Sequence, residues 1–91
     1  MLEELHLANN HLKNLDVKHS PRLDMLICYG NEIESLDLSE LNRLMALRCE
    51  NNKISSLQVD HLGDLTVLRC GSNPIEQLDV SKNKKLQQLF I

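Results

Sequence analysis

Tryptophan is absent from this chain, and Tyr29 and Phe90 are its only aromatic residues. A compact core built from 91 residues usually holds more, so a single globular core is the wrong expectation. Glycine and proline are sparse. Gly30, Gly63 and Gly71 stand alone, which excludes a glycine-rich phosphate loop. No basic run exceeds Lys84-Lys85 and the net charge is −3, so the clustered basic footprint of a nucleic-acid surface is missing. No apolar stretch approaches the roughly 20 residues of a membrane span. The opening MLEELHLANN has neither a basic n-region nor an apolar h-region, so no signal peptide is read there. The three cysteines, an odd count at regular spacing, do not make a disulfide framework. With 42% hydrophobic and 25% charged residues the composition is that of an ordinary soluble protein, and the length favours one domain.

What the chain has is a period. Leu2, Leu23, Leu44, Leu65 and Leu86 are spaced by 21 residues, and so are Leu5, Leu26, Leu47, Leu68 and Leu89. Asn10, Asn31, Asn52 and Asn73 keep the same step, as do Leu12, Ile33, Ile54 and Ile75, and Leu15, Leu36, Leu57 and Leu78. A fixed period in this range is the signature of a solenoid. A solenoid core is a narrow slot filled by aliphatic columns, which accounts for the missing aromatics. The coils are 2–22, 23–43, 44–64 and 65–85, with a partial fifth at 86–91.

Each coil opens with Leu-x-x-Leu-x-(Leu/Cys)-x-x-Asn-x-(Leu/Ile), as in Leu23, Leu26, Cys28, Asn31 and Ile33. The alternation inside Leu47-Arg48-Cys49 has period two, which predicts a strand with one face buried. The second half of each coil repeats the spacing more loosely, as in Ile33, Leu36 and Leu38. The column Ser20, Leu41, Leu62 and Asn83 is a degenerate echo of the asparagines. The whole chain resembles the leucine-rich repeat family, and is similar to a bacterial 21-residue subclass with nested half-repeats and cysteine at the second strand position. The resemblance implies a parallel sheet on the concave face and an extended or β-like convex side with little helix. Parallel strands are expected near 4–8, 25–29, 46–50, 67–71 and 88–91, in a right-handed coil.

The columns have structural readings. Asn10, Asn31, Asn52 and Asn73 carry both donors and acceptors, so they are expected to form a ladder that satisfies inward-facing backbone groups. Cys28, Cys49 and Cys70 stand where Leu7 and Ile91 stand in other coils and are expected to be buried thiols, stacked at about 4.8 Å. In-register thiols point the same way, and no inward histidine joins them, so neither a disulfide nor a metal site is expected. His19, Glu40 and His61 share an outward column but are too far apart to hold a metal, and none is expected. His6 and His11 show no partner pattern. The column Asp16, Asp37, Gln58 and Asp79 is expected to bond nearby backbone or hydroxyls such as Ser35 and Ser56.

The sheet face carries the variable residues. Met25, Ile27 and Tyr29 are expected to form an exposed apolar stripe. Arg48 and Arg69 sit side by side, where like charges are unfavourable unless Glu50 or an acidic partner answers them. With Phe90, these are the residues expected to bind a partner. No catalytic triad, cysteine–histidine pair or cofactor motif can be assembled, so the expected function is a non-catalytic protein-interaction module. A structural spacer within a longer array is the alternative. No cofactor or nucleic-acid partner is expected. The absence of caps at Leu2 and Ile91 suggests a fragment of a longer array, or a chain whose ends meet another copy head to tail. Free cysteines are compatible with the cytoplasm, and the bacterial resemblance equally with a piece of a secreted or surface protein.

Overall fold

A computed structural model describes residues 2–91. Five strands form one parallel sheet in chain order: β1 Glu4–His6, β2 Met25–Ile27, β3 Ala46–Arg48, β4 Val67–Arg69 and β5 Gln88–Phe90. The register is the sequence period made physical. Leu5 lies opposite Leu26, Leu26 opposite Leu47, Leu47 opposite Leu68 and Leu68 opposite Leu89. A slip of one residue would turn every leucine out to solvent, so the columns hold the register.

The regular strands are three residues long, shorter than the five residues the sequence suggests for the first four coils. Inter-coil bonding nevertheless continues past them. The Cys28 N–H donates to the Arg48 carbonyl at 2.8 Å and the Gly30 N–H to the Glu50 carbonyl at 3.0 Å. The ladder then ends, because the last donors in the column, Asn9, Gly30 and Asn51, themselves turn left-handed. Asn9, Gly30, Asn51 and Ser72 have φ of 57°, 72°, 58° and 56°. Asparagine and glycine tolerate that region best. At Gly30 a side chain is doubly excluded, since a Cβ there would collide with the Asn9 side chain.

The core lies behind the sheet. Leu26, Leu47 and Leu68 are fully buried, together with Cys28, Cys49, Ile33, Ile54, Leu41, Leu62, Leu44 and Leu65. Each fully buried leucine contributes about 1.5–3 kcal/mol. Leu5, Leu12 and Leu15 in the first coil, and Ile75, Leu78, Val80 and Leu86 towards the other end, are only partly buried. The outer side is extended chain interrupted by short turns, and there is no helix among the described residues. Its backbone bonds are local: Leu41 N–H to the Leu38 carbonyl, then Leu44 N–H to the Leu41 carbonyl. The same pair of turns recurs at Leu62 and Leu65.

Candidate functional site

The sheet face rests on the asparagine ladder just beyond it. Asn52 shows the pattern. Its Nδ2 donates to the Cys49 carbonyl of its own coil at 2.9 Å and to the Cys28 carbonyl of the preceding coil at 3.1 Å. Its Oδ1 accepts the Ile33 N–H at 3.0 Å. Asn31 repeats this, taking the Asn10 and Leu12 N–H groups and giving to the Leu7 and Cys28 carbonyls. Asn73 bonds Ile54, Cys49 and Cys70 in the same way. Asn10 reaches only the Leu7 and Ala8 carbonyls of its own coil. The ladder fixes backbone and leaves no amide free for a ligand at the central positions.

Cys28, Cys49 and Cys70 are buried free thiols. Burial pushes the Cys28 thiol from 9.0 up to about 12, with the Glu50 charge adding to the shift. Burial also raises Cys49, reinforced by Cys28 and Cys70 on either side and by Glu50. Cys70 is raised for the same two reasons as Cys28. A thiol is nucleophilic only as the thiolate, so the column is chemically quiet at neutral pH.

On the opposite side of the sheet the structure brings Tyr29, Arg48, Glu50, Arg69 and Phe90 together. The Arg48 guanidinium lies over the Tyr29 ring, 4.4 Å from its centroid, and binds Glu50 Oε2 through Nη2 at 2.9 Å and Nε at 3.3 Å. The Arg69 guanidinium stacks on Phe90 at 4.6 Å. Both distances are within the range of a cation–π contact. The two arginines are register partners, yet one stacks back on the preceding coil and the other forward on the next. Glu50 Oε1 is buried with no hydrogen-bond partner among the described residues.

The apolar stripe is less open than its sequence suggests. Ile27 is only 7% exposed, and Met25 and Tyr29 are half-buried. Ile27 lies in register between His6 and Arg48, whose longer side chains flank it. The open apolar surface lies on β5 instead, where Phe90 is 53% exposed.

No family model and no curated protein matches this chain. Solved structures do. The functional domain of InlJ from Listeria monocytogenes, described as including a cysteine ladder, superimposes with a TM-score of 0.93 at 37% identity. The match covers 94% of this chain and 19% of that solved chain. The internalin InlF from Listeria monocytogenes matches with a TM-score of 0.93 at 28% identity over 97% of this chain and 27% of its own. This chain belongs to the leucine-rich repeat family. Internalin C2 of the same species, at 24% identity and a TM-score of 0.88, adds support for the fold alone, with 92% of this chain and 39% of that one covered. The chain therefore spans well under half the length of the proteins it matches. InlJ and InlF support, in general terms, a repeat module of the protein-interaction kind.

Other columns of this leucine-rich repeat act locally. Asp16, Asp37 and Asp79 accept the N–H two residues on, from Lys18, Ser39 and Ser81, at 2.9–3.0 Å. The expected bonds to nearby backbone are the ones made, rather than those to the Ser35 or Ser56 hydroxyls, because an aspartate closes a turn with its own following backbone more readily than it reaches the next coil. The Ser39 bonds hold the Asp37 carboxyl below its usual value, and the Ser81 bonds do the same for Asp79. Of the outward column His19, Glu40 and His61, only His61 has an inter-coil bond among the described residues. Its Nε2 donates to the Leu38 carbonyl at 2.9 Å. His6 does have a partner, Glu4 on the same strand at 2.8 Å, and the residue spacing of two on one sheet face was the available signal. Sequence reasoning also missed the left-handed column. Its signal was the residue before each ladder asparagine: Asn9, Gly30, Asn51 and Ser72.

Proposed function

We propose that this chain is a non-catalytic interaction module whose partner binds the open face of the sheet around Met25, Ile27, Tyr29, Arg48, Glu50, Arg69 and Phe90. The observation that carries the reading is the pairing of each arginine with an aromatic ring on that face. Arginine and tyrosine are the residue types that dominate binding energy at protein interfaces, and here stacking pre-orders their long side chains. The rest of the molecule is occupied with itself: the ladder asparagines bond backbone, and the thiols are buried and protonated.

The test is a charge reversal. Purified partners captured by the parent are titrated against Arg48→Glu combined with Arg69→Glu, and separately against Tyr29→Ala. Loss of at least about tenfold in affinity is expected with the double variant, measured where thermal unfolding shows it folded, since replacing Arg48 leaves the 17%-exposed Glu50 without its partner and lowers stability as well. Partners that bind both variants as they bind the parent would place the interaction elsewhere or support the spacer reading.

A further inference from the structure

Arg48 is already answered within the chain. Its Nη2 and Nε donate to Glu50 Oε2 at 2.9 and 3.3 Å. The pair is neutral as a whole and belongs to the middle of the sheet, since β3 has β2 on one side and β4 on the other. Nε and Nη2 lie along one edge of the planar guanidinium, so the acid takes an edge and leaves the two faces of the plane. One face lies over the Tyr29 ring, 4.4 Å from its centroid. No second ring lies against it among the described residues. The Arg48 side chain keeps 34% of its surface exposed.

The surroundings decide what can cover that remaining face. Glu50 is 17% exposed, and its Oε1 is closed off from solvent. A partner cation would meet Arg48 before it met a carboxylate oxygen. A partner carboxylate would have to share the guanidinium with Glu50, like charge against like charge at close range. Beside the pair the face is apolar: Ile27 is in register with Arg48, and half-buried Met25 is in register with Ala46. A flat, neutral, apolar group meets neither charge conflict and gains from both the guanidinium and the β2 side chains.

We propose that the partner of this face is a protein segment that lays one aromatic side chain on the outer face of the Arg48 guanidinium, continuing the stack that Tyr29 begins. The proposal rests on the sheet-face reading above and names its chemistry: the anchor is a ring and not an acid. Arginine offers its plane to rings and its edge to carboxylates, and here the edge is taken. Glu50 and Tyr29 together hold the long side chain in one place before any partner arrives, so the entropy of ordering it does not fall on binding. Met25 and Ile27 offer apolar contact to the ring from the β2 side.

The experiment is selection of a random dodecapeptide phage library on the parent protein, followed by titration of the synthetic peptides. Enriched peptides are expected to share one aromatic position. Peptide selections favour rings on many targets, so the deciding step is cyclohexylalanine at that position, which keeps the volume and removes the π face. It should bind the parent about fivefold more weakly than the ring does. Arg48→Met combined with Glu50→Gln removes both charges and leaves neither without its partner. On that double variant the two peptides should bind within about twofold of each other. Thermal unfolding shows that each variant is folded. Met25→Glu puts a charge on the same face and reports on the face alone. Peptides that lose affinity with Met25→Glu, yet bind the parent through an acid or an aliphatic group, would overturn the stack and leave the face. So would a ring preference that is absent on the parent or equally large on the double variant. Peptides indifferent both to Met25→Glu and to the double variant would overturn the face as well. A library that yields no binder also counts against the proposal.

Discussion

Each coil contains two halves built on one spacing, and they solve the same backbone problem differently. In the sheet half the chain turns away from a parallel strand, and its inward carbonyls have no local partner. The Cys28 carbonyl is met by Asn31 of its own coil and Asn52 of the next. In the outer half the chain closes short turns, so Leu38 and Leu41 carbonyls are met by N–H groups three residues on. The first half therefore requires an amide at every coil, and the second does not. That is why the column Leu41 and Leu62 is apolar and fully buried, while the column Asn31 and Asn52 is polar and buried. Asn83 tests the rule by breaking it. Its Nδ2 donates to the Val59 and Leu62 carbonyls, at 2.8 and 3.1 Å, but both already accept local N–H groups. Its Oδ1 is left buried with no partner among the described residues.

The largest effect should come from the sheet half. Asn52→Ala orphans the buried Ile33 N–H and removes bonds to three carbonyls. The expected cost is about 3 kcal/mol, since an unsatisfied buried donor alone costs about 1–3 kcal/mol. Urea unfolding measures it, and a midpoint equal to the parent's would show that the ladder is not needed.

A second effect belongs to the thiols behind the strands. The native Cys28 pKa lies near 12 against 9.0 for a free thiol. Above pH 9 the unfolded chain therefore releases protons that the native state keeps. The thiol contribution to stability is whole below pH 9 and is lost as pH rises towards about 12. Lysine and tyrosine titrate in the same window, so the informative quantity is a difference. Cys49→Ala should show a shallower fall in unfolding free energy with alkali than the parent does. At neutral pH the parent's thiols should react with a thiol reagent only after unfolding. Parallel alkaline slopes, or fast native labelling, would mean that the column is open.

The smallest effect should come from the outer half. Asn83→Leu copies the residue found at Leu41 and Leu62, removes the unpartnered oxygen and leaves the carbonyls with their local bonds. A change within about 1 kcal/mol in either direction is expected, because deleted pairs are offset when no partner is orphaned. A loss as large as that of Asn52→Ala would erase the distinction between the halves.

Features that recur are legible in the amino-acid sequence. The 21-residue step places every strand, the leucine register and the asparagine ladder, because a solenoid averages each position over several copies. The strand ends are less legible. They depend on a left-handed residue whose identity varies among asparagine, glycine and serine, so no single letter marks the column.

What the sequence by itself determined is the architecture: one aliphatic slot, one amide per coil on the sheet side and thiols turned inward. Only the tertiary structure decided how the variable residues use it. Arg48 and Arg69 read as an equivalent pair, yet one leans back to Tyr29 and Glu50 and the other forward to Phe90. Ile27 reads as exposed, yet it lies between longer side chains of adjacent coils. The physical reason is the same in both cases. Column membership is set by backbone geometry, which the repeat encodes many times over. A side chain's direction and cover are set by its unrepeated neighbours across the sheet, which come together only when the coils are stacked.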